Sequence, residues 1–95
     1  MIANTTVFRR NDRVEYRALD GEGGVLLHLD TANYHGVNQV GGLIWELLDG
    51  RSFAALLEEL EARIEDVPAS FESEIAAFLE DLSERDLVVQ ESGSA

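Results

Sequence analysis

Ninety-five residues make one domain, enough for a single modest core. A formal charge of −12, from 19 acids against 7 bases, repels phosphate backbones and argues against nucleic acid as a partner. There is no cysteine, which excludes disulfides and thiolate metal sites.

The charge is unevenly spread. Arg9, Arg10, Arg13 and Arg17 make the first stretch slightly basic, and everything after it is strongly acidic. No apolar run approaches membrane-spanning length, and MIANTTVFRR lacks the apolar centre of a signal peptide. A soluble cytoplasmic domain is expected, spanning 1–95 with an ordered core over about 6–90.

Val7 to Arg10 reads as a short strand or a tethered arm. Val14 to Leu19 begins with alternation, placing Val14, Tyr16 and Ala18 on one side of a strand. Asp20-Gly21-Glu22-Gly23-Gly24 is a flexible turn, because glycine admits positive φ at little cost. Val25 to Asp30 is more strongly apolar, with Val25, Leu27 and Leu29 on one face and Leu26, His28 and Asp30 on the other. Such a run suits a central strand. Thr31-Ala32-Asn33 turns the chain, with Asn33 suited to the left-handed region. Tyr34-His35-Gly36-Val37 then returns, and three sequential strands with short turns make an antiparallel meander.

Asn38 caps a helix over 39–48, whose stripe is Val40, Leu43, Ile44, Leu47 and Leu48. Trp45 falls off that stripe and is expected to cover a flank of the core. Gly41-Gly42 costs about 1 kcal/mol per residue relative to alanine, which points to close packing of helix on sheet. Asp49-Gly50 ends the helix.

Ser52 caps the second helix, with Phe53, Leu56, Leu57, Leu60 and Ile64 inward and Arg63 placed to pair with Glu59. Pro68 breaks it. Ser70 caps the third, which runs to about Arg85 with Phe71, Ile75, Phe78, Leu79 and Leu82 as its stripe. Glu72 and Glu74 suit its positive N-terminus. Asp86 stops it, Leu87-Val88-Val89 docks on the core, and Gln90 to Ala95 frays. The fold class is therefore α+β: a three-stranded antiparallel sheet followed by three helices, arranged as a winged helix-turn-helix.

Few residues here suit catalysis. His28, His35 and Asp30 are the only grouping with metal-ligand chemistry, and two ordinary strand histidines are the favoured reading of it. Gly21 to Gly24 lacks the lysine of a phosphate loop. The chain is expected to be no enzyme and to carry no cofactor. The informative feature is the third strand, which has one partner and one open edge. Neither charge nor proline blunts it. Gly36 lets another backbone approach, the arrangement used for strand addition by a peptide. A covering helix, the N-terminal arm or a second copy are the competing occupants.

The order Val25-Leu26-Leu27, Tyr34, Val37-Asn38, Val40-Gly41, Ile44-Trp45-Glu46-Leu47-Leu48-Asp49-Gly50 and Asp86-Leu87-Val88 resembles the PqqD-like domains, also called RiPP recognition elements. The match runs over about 6–90. Val37 stands where leucine is commoner, and Gly42 where alanine is.

The resemblance implies a winged helix-turn-helix that binds the leader of a ribosomally made precursor peptide and delivers it to a peptidase, cyclase or radical enzyme. The leader would add to Tyr34, His35, Gly36 and Val37. Ile75, Phe78, Leu79 and Leu82 would wall the groove, with Glu74 and Asp81 at its rim. Periodicity does not divide those wall residues between groove and core. The acidic rim would favour arginine or lysine in the leader or in the partner enzyme. A homodimerising module through the same edge is the alternative. A winged-helix DNA binder is disfavoured, because its recognition helix would carry Glu72, Glu74, Glu80, Asp81 and Glu84 against Arg85 alone.

Overall fold

The structure, a computed structural model, describes residues 2–19 and 23–91. Its elements in chain order are β1 (Val7–Arg10), β2 (Val14–Leu19), β3 (Gly23–His28), β4 (Tyr34–Val37), α1 (Gln39–Glu46), β5 (Asp49–Ser52), α2 (Phe53–Arg63), α3 (Phe71–Glu84) and β6 (Val88–Glu91). The α+β class and the meander hold: β2, β3 and β4 form one antiparallel sheet with β3 in the centre. The centre of the glycine turn expected from the sequence, at 20–22, and the last four residues, expected to fray, lie outside the described residues.

A second sheet, ordered β5-β1-β6, was not anticipated. β1 is a strand rather than a loose arm, and it pairs antiparallel on both sides. Asp49-Gly50 does not simply end α1. Gly50 at φ +102 turns the chain directly into β5, where its Cα packs beside the Arg9 guanidinium. Leu87 to Val89 docks as expected, but it does so by leading into β6. A polar run such as Asp49 to Ser52 shows no alternation, and only the free edge of β1 recruits it.

Phe8 from β1, Leu26 from β3, Ile44, Trp45 and Leu48 at α1, Phe53, Leu56 and Leu60 from α2, and Phe71, Ile75, Leu79 and Leu82 from α3 meet in one core. Phe8 and Phe53 pack edge to face, with centroids 6.3 Å apart. Trp45 lies inside this core at 4 % exposure rather than on its flank. Val40 is exposed, so the α1 stripe begins one turn later than its spacing suggests. Core-facing β3 residues are Leu26 and His28. Val25 and Leu27 lie on the opposite face, half-buried and outside the core.

The starts of α1 and α2 follow their capping chemistry. Asn38 accepts from the Gly41 N–H at 2.7 Å and Ser52 from the Ala55 N–H at 3.2 Å. Ser70 does not cap α3. Its backbone already sits near the helical region (φ −85, ψ 4), and its hydroxyl bonds the Glu74 carboxylate instead. α3 closes with Leu87 N–H to Leu82 O and Asp86 N–H to Ser83 O, a Schellman stop. Asp86 takes the left-handed position normally given to glycine, at φ +62. In the β3–β4 turn the left-handed residue is Ala32, at φ +62, and not Asn33. Asn33 instead pairs its carbonyl with the His28 N–H.

Candidate functional site: the open edge of β4 and its groove

β4 is an edge strand, and its register decides which groups it offers. The His28 N–H donates to the Asn33 carbonyl in the register that pairs Leu26 with His35 and Gly24 with Val37. Hydrogen-bonded pairs alternate in an antiparallel ladder. His35 and Val37 therefore turn their main chain toward β3. Tyr34 and Gly36 turn theirs to the open side, where no strand among the described residues meets them. An added Cβ on Gly36 would meet nothing within 4 Å. The side chains divide the opposite way. His35 and Val37 share the core-side face with Leu26 and Gly24. Tyr34, 77 % exposed, and Gly36 share the outer face with Leu27 and Val25.

Two pockets flank this strand on the helix side. The first, about 260 Å³, is lined by Gly36, Val37, Asn38, Val40, Gly41, Ile44, Ile75 and Phe78. It is apolar, and it lies where α1, α3 and the end of β4 converge. Gly41 is what allows this: a Cβ there would stand 2.9 Å from Val37 Cβ and 3.2 Å from the Phe78 ring. Gly42 serves a different contact, because a Cβ there would stand 2.4 Å from the Tyr16 hydroxyl. Both glycines thus pack helix on sheet, as their helical cost suggested.

The second pocket, about 300 Å³, is lined by His28, Asn33, Tyr34, His35, Arg85 and Leu87. Between the two, His35 Nε2 lies 3.9 Å from Asp81, which also receives Arg85 Nε at 3.1 Å.

Of the ten residues named from the sequence, the structure brings Tyr34, His35, Gly36, Val37, Ile75, Phe78 and Asp81 around this groove. Leu79 and Leu82 are fully buried and present no surface to it, so they support the wall from behind. Glu74 is exposed one residue before Ile75 and is held by Ser70. Val40, Gly41 and Ile44 were not anticipated as lining residues, nor were Asn33, Arg85 and Leu87. The exposed Val40 beside a glycine pair is the one signal that α1 has a groove face.

His28 is 3 % exposed, with Nε2 at 3.0 Å from Asp86 and Nδ1 accepting from the Asp30 N–H at 3.2 Å. Both bonds are met by the neutral ring protonated at Nε2. The Asp30 carboxylate is occupied by Arg13 at 2.9 Å. Among the described residues no group of three potential metal ligands forms.

A small α+β domain with an unpaired strand edge beside an apolar, helix-walled groove has the elements of a peptide-binding module. The chain belongs to the PqqD family: the model of Coenzyme PQQ synthesis protein D (PqqD) matches residues 23–88. It is also similar to the solved structure of TbiB1 in complex with the TbiA(beta) leader peptide. That likeness has 31% identity and a TM-score of 0.72, over 84% of this chain and 93% of that one. A lasso peptide synthetase B1 complexed with its leader peptide matches at 30% identity and TM-score 0.69, over 86% of this chain and 96% of that one. No match was found among curated proteins.

Proposed function

We propose that this domain binds the leader segment of a ribosomally synthesised precursor peptide by strand addition to β4, and presents it to a modifying enzyme. The observation that carries this reading is the pair of outward main-chain groups at Tyr34 and Gly36, open beside the Val37–Ile44–Phe78 pocket. Support also comes from the two similar structures, each solved with a leader peptide.

The register sets the pattern of contacts. A leader antiparallel to β4 exchanges main-chain bonds with Gly36 and then Tyr34. Its residue opposite Val37 points into the apolar pocket. Two residues later, the one opposite His35 lies against His35 and Asp81. Two residues further on, the chain reaches the pocket of Asn33, Arg85 and Leu87. Main-chain bonds net only about 0.5–1.5 kcal/mol apiece in water. Specificity therefore falls to the side chains in these pockets. Asp81 and Glu74 favour a basic residue in the leader or in the enzyme. The domain holds and positions the peptide, and the partner peptidase, cyclase or radical enzyme supplies the chemistry. No cofactor is required for this role.

Fluorescence polarisation of labelled leader segments, taken from short precursor-like reading frames encoded beside this one, tests the reading. Saturable binding by one leader, and not by its core half, is expected. Absence of binding by every leader to a demonstrably folded domain would overturn it.

A further inference from the structure

The wing sheet has a second open edge, and it is the longer one. β2 spans six residues, whereas β4, β5 and β6 span four each. Its register follows from one bond. The Leu29 N–H donates to the Arg13 carbonyl, in line with the pairing of Glu15 with Leu27 and Arg17 with Val25. By alternation, Glu15 and Arg17 turn their main chain toward β3, and Val14, Tyr16 and Ala18 turn theirs to the open side. The Val14 N–H is already taken by the Asn11 carbonyl. α1 meets β2 at the face, where Gly42 packs on the Tyr16 hydroxyl, and no strand among the described residues pairs with the outer edge of β2.

Glu15 and Arg17 point to the same outer face, two residues apart. Five arginines of this acidic chain pair with carboxylates: Arg9 with Glu91, Arg13 with Asp30, Arg51 and Arg63 with Glu59, and Arg85 with Asp81. Among the described residues neither Arg17 nor Glu15 has an oppositely charged partner, and both are exposed. Charges on an edge normally guard it against pairing. An opposite pair flanking one central residue guards it poorly against its own copy.

We propose that two copies of this chain associate through β2, antiparallel about a two-fold axis at Tyr16. Tyr16 exchanges both N–H···O bonds with Tyr16 of the second copy, and each Ala18 N–H reaches the Val14 carbonyl of the other. Glu15 then stands opposite Arg17 of the second copy, and Arg17 opposite its Glu15. These are non-hydrogen-bonded positions, where facing Cα atoms are only about 4.5 Å apart. Opposite charges there stabilise the pairing, and like charges oppose it. The product is a continuous sheet with a β4 edge at each outer end, so a dimer built this way leaves both candidate leader sites open. The inference rests on β2 alone and stands whether or not β4 binds a leader.

Sedimentation velocity over a concentration series tests it. The unmodified chain should show a monomer–dimer equilibrium. Glu15→Arg or Arg17→Glu alone should weaken self-association by about tenfold or more, because each places like charges opposite at both sites. An equimolar mixture of the two variants should recover a dimer, since each then meets its opposite. Ala18→Pro, which removes an outward N–H, should be monomeric with an unchanged circular dichroism spectrum. A strictly monomeric unmodified chain overturns the proposal. So does a dimer indifferent to both reversals, or one that an added strand on β4 dissociates.

Discussion

Gly36 and Gly41 stand five positions apart and have opposite duties. Gly36 faces open space, and its N–H points away from the sheet. Gly41 is pressed between Val37 and Phe78. A proline at position 36 removes a donor that the fold does not use and that a leader strand would. Gly36→Pro should therefore weaken leader binding by about tenfold, the worth of one main-chain bond, and leave the melting temperature near its original value. Polarisation and thermal circular dichroism on the same sample separate the effects. Equal losses in both would make Gly36 a structural residue. His28 shows a related division: its side chain is buried on the core face of its strand, where it holds Asp86 and the Asp30 N–H.

α3 has two kinds of apolar residue on one stripe. Leu79 is completely buried, and Leu79→Ala should cost about 2–5 kcal/mol in a denaturant titration through lost contacts and the cavity left behind. Phe78, one position earlier, is half-buried and lines the groove. Phe78→Ala should cost less stability than Leu79→Ala and should lose more leader affinity. The reverse order would mean that the Phe78 ring is core and that the groove wall lies elsewhere. Helical spacing placed both on one face but did not rank them, because the boundary between core and groove is drawn by where β4 ends.

The whole molecule carries −12 at neutral pH within a Cα radius of gyration of 12.9 Å. Compacting so much like charge opposes folding, and salt screens it. The arginine ion pairs run between exposed or half-exposed side chains, Arg9–Glu91 and Arg63–Glu59 among them, and contribute little. The melting temperature should consequently rise as sodium chloride is added from low ionic strength. A fall would show that the arginine pairs outweigh the net repulsion. Among the described residues no helix is long and apolar enough to cross a membrane.

Much of this was legible in the chain. Alternation at Val14–Tyr16–Ala18, the apolar run from Val25, and stripes such as Phe53–Leu56–Leu60 specify strands and helices by local periodicity. Asn38 and Ser52 mark helix starts by capping chemistry that needs no distant partner. The unprotected composition of Tyr34 to Val37 marks an open edge. Tertiary structure alone decided the rest. β5 exists because β1 offers a free edge, not because Asp49 to Ser52 favours a strand. Ala32 and Asp86 occupy left-handed positions because closure of the β3–β4 turn and the His28 contact hold them there. Val40 is exposed and Leu82 buried, although each lies on its helix's apolar stripe, because burial depends on which neighbours arrive. A sequence states what each residue prefers locally; it does not state which surfaces the folded chain leaves uncovered, and a binding groove is such a surface.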